Sequence, residues 1–234
     1  MYEEIVTVKV GKEPSLKSFP LHKGVLSFYS GYFEAAVKGV FKEAKDGLIE
    51  LPDESADVFE RFVVWLYTRK VDLPDDTNNG FKVICGLWFF ADRRDIPLLA
   101  NYSIDMLRDK IAQTWTVPTA EIRPVYANTM PGAKLRLFII FMLSNTSGSR
   151  ILDDGSRWRW EDDALWDMLK AVWVLKEQGI TKIMSKEELT ALDMCQFHMH
   201  EERMKCAKDS DAQTTSVKSA KTSHGQTAGN RRPD

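Results

Sequence analysis

The chain has 234 residues, with 32 Lys+Arg against 34 Asp+Glu and a net charge of −2. At roughly 150 residues per domain, that length allows one or two domains, and an apolar fraction of 44% rules out disorder over the whole chain. The near-even charge excludes nucleic-acid binding by bulk charge.

In chain order, Ile5–Val10 is β-branched and ends at Gly11, the pattern of a strand running into a turn. Leu16–Leu21 is its expected hairpin partner, with Pro20 confining it to an edge or a strand end. His22–Phe28 and Gly31–Lys38 read as two short helices, the second stopped by Gly39. Gly47–Leu51 is a short strand closed by Pro52, and Asp53, Glu54 and Ser55 offer cap oxygens for a helix to about Tyr67. Val58, Phe59, Phe62, Val63 and Leu66 keep helical spacing along it. Leu73–Gly80 reads as a loop. Phe81–Ala91 is apolar on nearly every face, which places that helix in the middle of a core. Asp95 is the expected cap of the next helix, with Pro97 in its first turn and Leu98, Leu99, Tyr102, Met106 and Leu107 inward.

Val117 opens a purely helical stretch. Its expected helices are Thr119–Ala127, Ala133–Leu143 and Asp162–Glu177, and Ser185-Lys186-Glu187-Glu188 fits a capping box that starts another. From Asp209 onward large apolar side chains nearly vanish, so 209–234 is expected to be disordered. Its Lys, Arg, Ser and Thr content suits a solvated tail, with nuclear import or phosphorylation as the functional counterpart.

The first ~110 residues resemble a BTB/POZ domain, and the residues that carry the resemblance keep the family's order. They are Phe19-Pro20-Leu21-His22-Lys23, Leu26 to Phe33, Phe41-Lys42-Glu43-Ala44, Ile49-Glu50-Leu51-Pro52-Asp53, Val58-Phe59, Val63 to Thr68, and Phe89-Phe90-Ala91-Asp92. The stretch Val125–Gly132 with Leu135-Arg136 resembles the helical extension of fungal BTB proteins. The resemblance implies an α+β core, a small sheet flanked by helices, over 1–112, followed by a helical region over 117–208. It also implies that Phe19, His22, Lys23, Leu26, Ser30, Tyr32, Phe33 and Tyr67 are structural signature residues. In the family the His pairs with an acidic residue of the first strand, which would be Glu4 here.

What the resemblance implies for function is protein–protein interaction: self-association, corepressor recruitment, or delivery of substrates to cullin-based ubiquitin ligases. The exchange arm used in many family dimers has no counterpart before Ile5, so a dimer is less expected than in the family at large and would have to use another face. The hydrophobic–x–acid motif common in cullin adaptors is missing from Gly80–Cys85, which has the apolar residues and no acid. Three cysteines cannot supply zinc fingers, and no kelch repeat follows.

Other constellations favour structural readings. Cys195, His198 and Cys206 share one side of a helix, but ten intervening residues put the two cysteines ~16 Å apart along it, too far for one zinc ion. Leu165, Trp166, Leu169, Val172 and Trp173 keep helical spacing and are expected to form a packed core. Trp158 and Trp160 alternate with Arg157 and Arg159, so their exposure would make a partner-binding patch. Glu161, Asp162 and Asp163 are the acidic first turn of a helix.

No catalytic, cofactor or metal residue is assigned, so no enzyme is expected. The expected partners are other proteins, a cullin or a second copy included, with no direct nucleic acid, membrane or small-molecule substrate. Phe41, Lys42, Leu73, Phe81, Trp158 and Trp160 are the expected interaction residues. An odd, small number of cysteines and an acidic start without an apolar leader point to a reducing compartment, cytoplasm or nucleus. The longest apolar run, Leu137–Leu143, is well short of the ~20 residues that a membrane helix needs. Asn101 and Asn145, although in glycosylation sequons, carry no sugar on that expectation.

Overall fold

The fold begins as a hairpin whose two strands differ in exposure. In the computed structural model, which describes residues 4–39, 43 and 46–200, strand β1 (Ile5–Val10) is the middle of a three-stranded sheet. It pairs antiparallel with β2 (Lys17–His22), with Val8 opposite Phe19, and parallel with β3 (Leu48–Leu51), with Val10 opposite Leu51. Val6, Val8 and Val10 point to one face and are buried, as the two-residue period of a strand requires. Pro20 lies in β2, at the sheet edge, where a missing N–H leaves no ladder bond unmade.

Helices α1 (Lys23–Tyr29) and α2 (Gly31–Lys38) follow β2. Ser30 separates them and accepts a hydrogen bond from the Phe33 backbone, which starts α2. Helix α3 (Ala56–Thr68) is capped by Ser55. Its Phe59 and Phe62 pack on Phe90, with ring centroids 5.6 and 4.9 Å apart, and Phe33 joins them.

Helix α4 (Thr77–Arg93) is the central post, buried along most of its length. It starts four residues before the expected Phe81. Asp76 accepts from the Asn79 backbone at 2.7 Å and draws Thr77–Gly80 into the helix, out of the expected loop. Helix α5 (Pro97–Thr114) returns against α4. Its cap position is Ile96, and Asp95 does not cap it; Asp95 instead takes a left-handed conformation, φ 49°. The Asp95 carbonyl accepts from Gly31 at 3.1 Å, and a Cβ on Gly31 would lie 2.1 Å from the Asp95 carboxylate. A side chain there would have to push the Asp95 carboxylate aside.

A short 3₁₀ turn (Thr119–Glu121) leads to α6 (Ile122–Asn128) and then α7 (Lys134–Thr146). Seven of the thirteen residues of α7 are buried, which makes it the post of the helical layer as α4 is of the first. Helix α8 (Asp162–Glu177) lies against α7, and α9 (Lys186–Thr190) begins at Ser185 with the expected capping box. Beyond α9 the chain forms a 3₁₀ turn, Met194–Phe197, where a continuous helix through Cys195 was expected. Asn101 of α5 clamps the end of this segment, donating to the Met199 carbonyl at 3.0 Å and accepting from its N–H at 2.6 Å.

One buried cluster runs from the sheet through α3–α5 to α7, and residues 1–199 form a single compact unit. The chain is thus an α+β core carrying a helical second layer. Among the described residues no helix is long and apolar enough to cross a membrane. The tail at 209–234 lies outside the described residues.

Candidate functional site

His22, Lys23 and Tyr67 meet where β2 becomes α1. His22 Nδ1 lies 2.9 Å from the Tyr67 hydroxyl, which also accepts from the His22 backbone at 3.3 Å. Among the described residues, Glu4 pairs with Lys23 Nζ at 3.0 Å, and its carbonyl accepts the Lys23 N–H. Leu26 and Phe33 are buried, Phe19 stacks on Phe59 at 4.9 Å, and Arg94 covers the half-exposed Tyr32 ring at 4.3 Å. Ser30 Oγ donates to the Arg94 carbonyl at 2.5 Å. These contacts tie α1, α2 and α3 to the α4–α5 corner, which is a structural role.

A second tie at that corner was not visible in the sequence. The Glu54 side chain is 5% exposed and holds Arg93 (2.7 and 3.1 Å) and Arg94 (2.9 Å). Two guanidiniums supply the counter-charge that a buried carboxylate needs. Adjacent arginines closing an apolar helix are the only trace of it in the sequence.

The solvent-facing apolar surface is concentrated on α8. Trp166, Trp173, Leu169, Leu165 and Val172 are 62, 55, 50, 41 and 42% exposed, whereas Ala164 and Met168 are buried. This overturns the expected tryptophan core. Helix α8 has two apolar faces, and the one with small Ala164 and Ala171 lies against its neighbours, because small side chains let backbones approach closely. The tryptophan face is left outside. Trp158 is 60% exposed, with Arg159 stacked 5.2 Å from its ring. Trp160 is 8% exposed, and its indole donates to the Ile151 carbonyl at 3.3 Å. The two therefore do not form one patch: Trp158 lies on the 3₁₀ segment Asp154–Arg159 and Trp160 just beyond it, with its ring turned inward.

Between α7 and α8 runs a groove of about 790 Å³, its walls including Leu137, Ile140, Phe141, Val174 and Phe197. Leu137 and Val174 are half exposed. Buried Arg136 anchors one wall: it donates to Thr129 Oγ1 at 2.7 Å, to the Tyr126 carbonyl at 2.8 Å and to the Thr129 carbonyl. The Tyr126 hydroxyl donates to Asp167 of α8 at 3.0 Å. Burial, reinforced by that carboxylate, pushes the Tyr126 hydroxyl well above its ordinary pKa. For Asp167 burial acts upward, but hydrogen bonds from Lys170 and Tyr126 outweigh it and hold the carboxyl below the usual range.

Of the remaining expected interaction residues, Leu73 is half-buried against the core and Phe81 is 2% exposed. Phe81 is therefore a core residue, because α4 starts at Thr77 and turns it inward. Phe41 and Lys42 lie outside the described residues. His198 Nε2 sits 3.1 Å from Asp105, and Cys195 is on the 3₁₀ turn. Cys206 is outside the described residues, and among those described no group of three metal-ligating side chains gathers. Cys85 is fully buried, and that burial pushes its thiol pKa well up, toward an inert protonated form.

Comparison with known proteins reaches the first part of the chain. A family model for the BTB/POZ domain matches residues 6–83. A BTB/POZ domain-containing protein of Arabidopsis thaliana is 24% identical over 111 residues, which are 47% of this chain and 43% of the relative. Kelch-like protein 40 of Xenopus laevis is 26% identical over 95 residues, 41% of this chain and 14% of the relative. Kelch-like protein 24 of Homo sapiens is 30% identical over 76 residues, 32% of this chain and 12% of the relative. The chain spans less than half the length of these curated relatives.

Proposed function

We propose that this chain, which carries a BTB/POZ domain at residues 6–83, is a non-catalytic adaptor that joins proteins in a reducing compartment. A BTB/POZ domain is a protein-interaction module, and here it bears a helical layer with its own partner-facing surface. The observation that carries the reading is the concentration of large apolar side chains on the outside of α8 and along the α7–α8 groove. Contiguous apolar surface on a soluble fold marks an interaction site, whereas scattered exposed residues do not.

The finer reading is substrate adaptor for a cullin-based ubiquitin ligase. The Kelch-like relatives support it as a class, while the sequence Gly80–Cys85 lacks the usual acid and Phe81 is turned into the core. Recruitment of a corepressor through a DNA-bound partner is a further use of the same module. Light scattering on the chain mixed with a cullin N-terminal domain separates them. A stable complex would make the ligase reading the leading one, with the α7–α8 groove as the place for a client. A mixture that elutes as two separate species would overturn the ligase reading and leave a scaffold for other partners.

A further inference from the structure

The outer face of α8 has an order that exposure alone does not explain. At about 100° per residue, Leu165, Trp166, Leu169, Val172 and Trp173 fill an arc of roughly 120° opposite the one that holds Ala164, Met168, Ala171 and Leu175. Asp162 and Lys176 lie in the same outer arc, one at each end of the apolar stripe. The stripe is symmetric about Leu169. Leu165 and Trp173 are equidistant from it, as are Trp166 and Val172, and as are Asp162 and Lys176.

We propose that two copies of this chain associate through α8, packed antiparallel with Leu169 on the two-fold axis. In a two-fold interface residue i meets j while j meets i. That register sets Leu169 on Leu169 of the other copy, Leu165 against Trp173 and Trp166 against Val172. Asp162 then faces Lys176 at both ends of the stripe. Lys176 already lies 4.7 Å from the centre of the Trp173 ring, so it can cover the tryptophan edge while it meets the acid. The helix dipoles align favourably as well, acidic N-terminus beside basic C-terminus. A parallel pairing would instead set Asp162 on Asp162 and Lys176 on Lys176. The charge order of the stripe thus selects a second copy in one orientation.

Residues 201–234 of the chain are a poor cover for the stripe, since Met204 and Val217 are their only large apolar side chains apart from Cys206. One helix face per copy gives an interface at the small end of the stable range, roughly 1,200 Å² in total. The dimer should therefore dissociate on dilution. The inference does not depend on the adaptor reading.

Sedimentation equilibrium of the whole chain, from micromolar to hundreds of micromolar, tests it. The expected mass rises from 26.8 kDa toward twice that value. Leu169→Glu should remain monomeric throughout while its circular dichroism and melting temperature match the parent. Asp162→Lys should weaken the dimer about tenfold, since two attractive exposed pairs become two repulsive ones. Lys176→Asp should do the same, and the double exchange should restore the dimer to within about threefold of the parent. A monomer at every concentration would overturn the proposal. So would a dimer that survives Leu169→Glu, or charge exchanges that fail to restore each other.

Discussion

Helices α4 and α8 are nearly equal in length, and each carries apolar side chains around much of its circumference. In α4 those side chains fill the core, Trp88 and Phe90 included; in α8 two tryptophans stand in solvent. The difference is one of neighbours. Helix α4 has α3 on one side and α5 on the other, so every apolar face finds a partner. Helix α8 packs chiefly on α7, with α6 beside it, and one of its two apolar faces stays largely exposed. Apolar content makes burial favourable, but only the elements that arrive around a helix decide which face is buried.

The strongest way to break this contrast is to truncate α4. Phe90→Ala should cost about 3–5 kcal/mol, as for other buried aromatics, because Phe33, Phe59 and Phe62 all rest on that ring. A loss under 1 kcal/mol by urea denaturation would refute the central role given to α4.

The two tryptophans just before α8 sharpen the contrast within three residues. Trp160→Ala should destabilise by about 3 kcal/mol, whereas Trp158→Ala should stay within about 0.5 kcal/mol. Equal melting temperatures for the two variants would contradict their opposite placement.

At the C-terminal end of α4, Glu54→Ala should cost about 2 kcal/mol. That is below the ~3–5 kcal/mol of a fully buried pair, since Arg93 reaches water and can be solvated alone. Chemical denaturation of this variant beside Arg93→Ala would measure the coupling.

Asp167 joins α8 to α6 through Tyr126. Its folded pKa is lowered, so its contribution is full above the unfolded carboxylate value and lost as pH falls through the folded one. Asp167→Asn should therefore flatten the acid limb of the stability–pH curve. Parallel curves for parent and variant would remove the carboxylate from the account.

The smallest effect is expected on the outer face of α8. Trp166→Ala with Trp173→Ala should leave the unfolding free energy of the monomer, in dilute solution, within about 1 kcal/mol of the parent. A loss of several kcal/mol would show that the face is packed after all.

Much of the fold was legible because its signals are local. The β-branched run Ile5–Val10, the edge proline Pro20, the cap Ser55 and the capping box at Ser185 each act within a few residues, and all appear as read. The structural signature from Phe19 to Tyr67 was legible as a family resemblance, and in the structure His22 lies on Tyr67 and Phe19 on Phe59. The candidate surface was read less well. Trp160 was read as an outer residue and is inside; Phe81 was read both as the start of a core helix and as an interaction residue, and only the first holds; Trp166, Leu169 and Trp173 were placed inside and are outside. Helical spacing reports that a stripe exists, and it is silent on which stripe meets another element. The pairing of Glu54 with Arg93 and Arg94 spans some forty residues and leaves no periodic trace.

The sequence by itself determined the element order, the sheet edge and the central burial of α4, because each depends on backbone geometry and near neighbours, and it carried the resemblance of the first part to a BTB/POZ domain. Only the tertiary structure decided the partner of Glu4, the inward turn of Trp160 and the choice of face on α8. Those depend on which side chains reach a shared place first and fit closest. At α8 the small-residue face fits best, and that leaves the tryptophans facing water.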